Sequence, residues 1–122
     1  MVADLKQMFR HIWLHEKHRD YLRIIRRGSK DKPIKEYRLK PVTYGTGCAT
    51  YQATKILKRV SDDSADTFPI AAAKIKEDFY IDDFMSGADS VEEASLIQKQ
   101  VLAVMSQANF TRRNVRVTNA RY

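Results

Sequence analysis

Phe79-Tyr80-Ile81-Asp82-Asp83-Phe84-Met85 sets two adjacent carboxylates between apolar runs. The pattern predicts two short strands meeting at a two-residue turn at Asp82 and Asp83, because Asp tolerates the backbone angles of a tight hairpin. Two negative charges that close repel each other unless a cation intervenes, and Mg²⁺, which seeks hard oxygen ligands, suits such a pair. A solvated hairpin turn is the competing reading of the same residues.

Working outward from the hairpin, Pro69 is placed for the first turn of a short helix over Ile70 to Lys76, after an acidic loop from Ser61 to Thr67. Downstream, Gly87 ends the hairpin and Ser90-x-x-Glu93 forms a capping box. The helix it opens carries Ala94, Ile97, Val101 and Met105 as a buried stripe, with Asn109 as C-cap. Phe110 to Thr118 reads as a final basic strand.

At the other end, Val2-Ala3-Asp4-Leu5 reads as the end of a buried strand carrying one acid. Leu5, Met8, Phe9 and Ile12 follow at the spacing of an apolar helical face. Asp4 then stands at a strand's C-terminal edge, with a helix N-cap as the competing reading. His11, His15 and His18 lack the cysteine or carboxylate spacing of a zinc site and read as surface or phosphate-facing groups.

Tyr21 to Arg27 and Ile34 to Val42 suit strands, split by the turn Gly28-Ser29-Lys30-Asp31-Lys32-Pro33. Tyr37 and Leu39 alternate with Glu36, Arg38 and Lys40, which predicts a half-buried sheet with one wet, basic face. The loop Thr43-Tyr44-Gly45-Thr46-Gly47-Cys48-Ala49-Thr50 runs into a helix over about residues 50 to 61, marked by Ala53, Ile56, Leu57 and Val60. Its glycines permit close approach to a phosphate or base pair, without the spacing of a phosphate-binding loop.

A chain of 122 residues makes one domain with a modest core, and its 43% hydrophobic and 30% charged residues are those of a folded protein rather than a disordered one. No apolar run approaches the roughly 20 residues of a membrane span, and no signal peptide is visible at the amino terminus, so an intracellular location, cytoplasmic or nuclear, is expected. Cys48 stands alone and excludes an internal disulfide. Residues 1 to 40 hold 12 Lys or Arg against 5 Asp or Glu, whereas residues 41 to 122 hold 10 of each. The first third therefore carries the whole excess of +7, and a basic lobe beside an acidic tip points to a polyanion partner near a metal site.

Taken in order, these segments resemble the palm of a retroelement reverse transcriptase, most closely those of Pao-type (BEL/Pao) retrotransposons. The match covers nearly the whole chain: Ala3-Asp4-Leu5-Lys6-Gln7-Met8-Phe9, Tyr37-Arg38-Leu39 with Val42-Thr43-Tyr44-Gly45-Thr46, Phe68-Pro69-Ile70-Ala71-Ala72, Asp78-Phe79-Tyr80-Ile81-Asp82-Asp83, Gly87-Ala88-Asp89 and Glu92-Glu93-Ala94. The resemblance implies an α+β fold, an antiparallel palm sheet packed on helices, in a single partial domain over residues 1–122. It implies an RNA-directed DNA polymerase, with Asp4, Asp82 and Asp83 holding two Mg²⁺ (or Mn²⁺) ions spaced about 3.5 to 4 Å apart for nucleotidyl transfer to a primer 3′-hydroxyl.

By the same resemblance Phe9 is an aromatic gate against a ribonucleotide 2′-hydroxyl, with plain core packing as the reading from spacing alone. Tyr44 and Gly45 lie under the templating base pair, and Tyr80 also contacts substrate. The partners implied are an RNA or DNA template with primer, deoxynucleoside triphosphates, and the fingers, thumb and ribonuclease H segments of a polyprotein. Those segments are expected outside this chain, leaving it inactive alone. Thr50 stands where many relatives have Pro, and Arg113-Asn114-Val115-Arg116-Val117 departs from the family's tail. A decayed or domesticated remnant, binding nucleic acid or protein without catalysis, is the competing function.

Overall fold

A computed structural model describes residues 1–110 and the backbone of residues 112–116. Its elements begin with strand β1 (Val2–Leu5), helix α1 (Met8–His11), a 3₁₀ segment (Glu16–Tyr21) and strands β2 (Arg23–Arg27) and β3 (Ile34–Arg38). Helices α2 (Ala49–Ser64) and α3 (Pro69–Asp78), strands β4 (Phe79–Tyr80) and β5 (Asp83–Met85), helix α4 (Val91–Gln107) and strand β6 (Arg112–Arg116) follow. The class is α+β: a four-stranded antiparallel sheet in the order β4-β5-β1-β6, a separate two-stranded β2-β3 ribbon, and helices.

An aromatic pair sets the register of the central hairpin. Phe79 lies opposite Phe84 with ring centroids 4.9 Å apart, and Phe84 is only 2% exposed. Those rings, with Leu5, join Ala71, Ile75, Ile97, Val101, Val104 and Met105 of α3 and α4 in one core cluster. Holding Phe84 inward draws Asp83 into the strand. The turn is therefore Ile81-Asp82, not Asp82-Asp83 as expected, and the residue in the left-handed region is Ile81 at φ 57°. A β-branched side chain there is strained, and surrounding structure must hold it.

Helix ends follow their chemistry. Ser90 Oγ accepts from the Glu93 N–H at 3.1 Å, while Glu93 Oε2 accepts from the N–H of Asp89, one residue before the cap. At the far end of α4, Asn109 at φ 60° follows the cap Ala108. The Phe110 N–H donates to Met105 O at 2.9 Å and the Asn109 N–H to Ser106 O at 3.0 Å, closing a Schellman motif that buries Phe110. Pro69 opens α3, which runs two residues beyond Lys76, and the buried Ser61 hydroxyl ties α2 to α3 by donating to Ala72 O at 2.7 Å.

The ribbon departs from expectation. Both strands are exposed on both faces, because no other layer among the described residues covers them. Each strand is also shorter than its apolar and β-branched run. Tyr21 belongs to the 3₁₀ segment, and after Leu39, whose N–H donates to Leu22 O, the chain turns to the segment following α1 instead: Leu14 N–H donates to Lys40 O and Val42 N–H to Ile12 O. Of the final strand expected over Phe110 to Thr118, β6 supplies Arg112–Arg116, and residues 111 and 117–122 lie outside the described residues. Among the described residues, no helix is long and apolar enough to cross a membrane.

Candidate metal-binding face

Asp4 sits in β1 directly opposite Asp83 in β5. The Leu5 N–H donates to Asp82 O at 2.9 Å and the Ser86 N–H to Met1 O at 3.0 Å. These bonds mark the odd-numbered β1 positions as the hydrogen-bonded pairs, so Asp4 and Asp83 form a non-hydrogen-bonded pair. In such pairs the Cα atoms stand about 4.5 Å apart and the side chains approach most closely. Asp82 follows as the second turn residue, its backbone carbonyl tied to β1. Segments nearly eighty residues apart thus meet, and Asp4 is a strand residue; the N-cap of α1 is Gln7, so the capping reading of Asp4 falls.

Alternation along the strands decides which way these groups face. Ala3, Leu5, Phe79 and Phe84 turn toward the helices, which leaves Val2, Asp4, Asp83, Met85 and Tyr80 on the other side. Tyr80 is opposite Asp83, so Tyr80, Asp83 and Asp4 form a row across three strands. Asp83 is exposed, Asp4 and Asp82 are half-buried, and Tyr80 is 70% exposed. On the fourth strand Arg113 is the backbone partner of Asp4, beside a register shift between Ala3 and Asp4. Val2 and Met85, both exposed, flank the acid pair; strand parity was the available signal for them, and the motif itself does not mention them.

Among the described residues, no side chain forms an ion pair or hydrogen bond with Asp4, Asp82 or Asp83. Like charges directly opposite one another destabilise a sheet, so this pair has a physical reason to accept a cation. No group of three His, Cys, Asp or Glu side chains is gathered among the described residues. Mg²⁺ is usually held by one or two carboxylates and completes its shell with water and substrate phosphates. An apolar groove of about 380 Å³ lies on the helix side of the sheet, lined by Leu5, Phe79, Phe84, Val101, Met105 and Phe110 among others.

Phe9 and Tyr44 form a separate pair. Phe9 is 7% exposed and packs edge-on against the exposed Tyr44, with centroids 4.7 Å apart and planes at 64°. Core packing describes Phe9 as the structure has it. Gly45 has φ 83°, a backbone angle that favours glycine, while the space where a side chain would start is open.

His11, His15 and His18 are all exposed. His15 caps the 3₁₀ segment, its Nδ1 accepting from the Lys17 N–H at 3.4 Å, and His18 stacks on Tyr21. Cys48 is a free, exposed thiol. In comparison with known proteins, no family model and no curated protein matches this chain.

Proposed function

We propose that the chain is the palm portion of an RNA-directed DNA polymerase, with Asp4, Asp82 and Asp83 as its catalytic carboxylates. One observation carries the reading: the non-hydrogen-bonded pairing of Asp4 with Asp83, which sets side by side, next to Asp82, two carboxylates without an ion-pair partner among the described residues. The motif order along the chain supports it as well.

Asp4 and Asp83, with Asp82, would hold Mg²⁺ or Mn²⁺. When bound, such ions supply activation of a primer 3′-hydroxyl and neutralisation of a triphosphate. The chain's own contribution is rigidity. The Leu5 N–H fixes the Asp82 carbonyl, and Phe79 and Phe84 clamp the hairpin from below. Tyr80 offers a ring beside the acids, and the Tyr44-Gly45 loop, braced by Phe9, offers a second ring for a base pair.

The test is titration of Mn²⁺ followed by electron paramagnetic resonance, comparing the natural chain with the double variant Asp4→Asn, Asp83→Asn. Binding that disappears in the variant is the expected result. Equal binding by both proteins would remove the assigned site, and would favour the second reading, a nucleic-acid-binding module without catalysis. That alternative draws on the bare basic ribbon.

A further inference from the structure

We propose that the face of the β2–β3 ribbon carrying Arg26, Lys32, Lys35 and Tyr37 binds single-stranded nucleic acid, its cations lying along the phosphates and its phenol ring under a base. The proposal takes its partner class from the reading above but uses none of the carboxylate chemistry.

The ribbon, residues 23–38, holds seven Lys or Arg against two acids, a net of +5 in a chain whose total is +7. Its antiparallel register sorts these charges onto two unlike faces. On one side lie Arg23 opposite Arg38, Ile25 opposite Glu36, and Arg27 opposite Ile34. Here the acids are already engaged: Arg23 meets Glu36 at 2.7 Å and Asp20 at 2.9 Å, and Arg38 meets Asp20 at 3.2 Å. Two guanidinium groups are thereby matched by two carboxylates.

The opposite side sets Ile24 against Tyr37 and Arg26 against Lys35. Arg26, Lys32 and Lys35 make no ion pair or side-chain hydrogen bond among the described residues. They line a hollow of about 170 Å³ together with Gly28, Pro33 and Tyr37. Asp31, at the ribbon tip, is not part of that lining. Tyr37 is 47% exposed, so an accessible ring stands beside three cations that have no acidic partner among the described residues. Cations attract phosphates of any nucleic acid, but an exposed ring beside them finds a partner only where a base is unstacked. That pairing of features selects a single strand over a duplex.

The full chain is tested by fluorescence anisotropy with a labelled oligothymidylate, the matching duplex, and vesicles containing phosphatidylserine. Charge reversal at Arg26→Glu, Lys32→Glu and Lys35→Glu is compared with an equal reversal on the helices, Lys55→Glu, Lys58→Glu and Lys99→Glu. The ribbon variant is expected to lose far more affinity and to flatten the dependence of log K on log salt by about 2, at about 0.7 per phosphate contact. Neutral replacements by Gln at the same three ribbon positions give the same ordering should the reversed protein fail to fold.

Tyr37→Ala should weaken single-strand binding about 10-fold and leave the duplex unchanged. Equal losses in the ribbon and helix variants, an inert Tyr37→Ala, or tighter binding to vesicles than to the oligonucleotide would each overturn the proposal. All oligonucleotide binding is measured in chelator, so that the result does not depend on metal held by the carboxylates. Failure of the ribbon and failure of the metal site are therefore read separately.

Discussion

The molecule contains two β structures built on opposite terms. The four-stranded sheet packs one face on α3 and α4 and holds acids on the other, whereas the ribbon is exposed on both faces; among the described residues those acids and the ribbon's Arg26, Lys32 and Lys35 have no ion-pair partner. Burial explains the difference. Core contacts on one side of the sheet supply the free energy that keeps two like charges opposed, while the ribbon has only its ladder and an exposed ion network. A rigid acidic face suits ions that demand fixed separations; a bare basic ribbon suits a chain that adapts.

The sharpest way to break this contrast is to empty the core below the acids. Phe84→Ala should cost about 3 to 5 kcal/mol, as for other buried aromatic truncations. Ile25→Ala, at a ribbon position 74% exposed, should stay within about 0.5 kcal/mol. Urea denaturation measures both, and similar values would show that the two β structures are not held differently.

Ser90→Ala removes the hydroxyl that accepts from Glu93 N–H and should cost about 1 kcal/mol by loss of the α4 cap. Because α4 packs under the sheet, the variant should weaken the sheet's amide protection and leave the ribbon's unchanged in hydrogen exchange.

A smaller effect of opposite sign is expected at the acid pair. In chelator, Asp83→Asn should stabilise the fold by about 0.2 to 1 kcal/mol, since it relieves a like-charge pair. Added Mn²⁺ should erase that advantage by stabilising only the natural chain. A destabilising Asp83→Asn in chelator would show that the repulsion is already relieved within the protein.

The smallest effect is local and depends on pH. Hydrogen bonds from Arg23 and then Arg38 hold the Asp20 carboxyl below its ordinary value of 3.8. A depressed folded-state value means that the contribution is complete above the unfolded value and is lost as pH falls through the folded one. Ribbon amides should therefore lose exchange protection on acidification below about pH 4, with Asp20→Asn already at that lower level near neutrality.

Much of this architecture is legible in the sequence where the signal is local. Ser90-x-x-Glu93, Pro69 and the run Leu5, Met8, Phe9, Ile12 announce helix starts and a buried face that the structure has. The strand assignment of Asp4 rests on two preceding residues, yet it matches β1. Register is a different matter. Two Asp residues look like a turn by propensity, but pairing Phe79 with Phe84 in the core moves the turn back one position and places Ile81 at a positive φ. Alternation at Tyr37 and Leu39 predicts one covered face, and nothing local reveals that no layer arrives to cover it. Whether acids from distant segments meet is likewise a property of the assembled sheet, which motif order can suggest and only tertiary pairing can supply.

The sheet order has a consequence for how the protein is made. β1 hydrogen-bonds to β5 and β6, which emerge about 80 and about 110 residues after it. Helices α2 and α3 come off the ribosome between β1 and β5 and can pair with each other first, since their contacts are closer in sequence. During translation β1 must wait unzipped until β5 emerges, an exposed edge in need of shelter, and only then can the face that bears the carboxylates form.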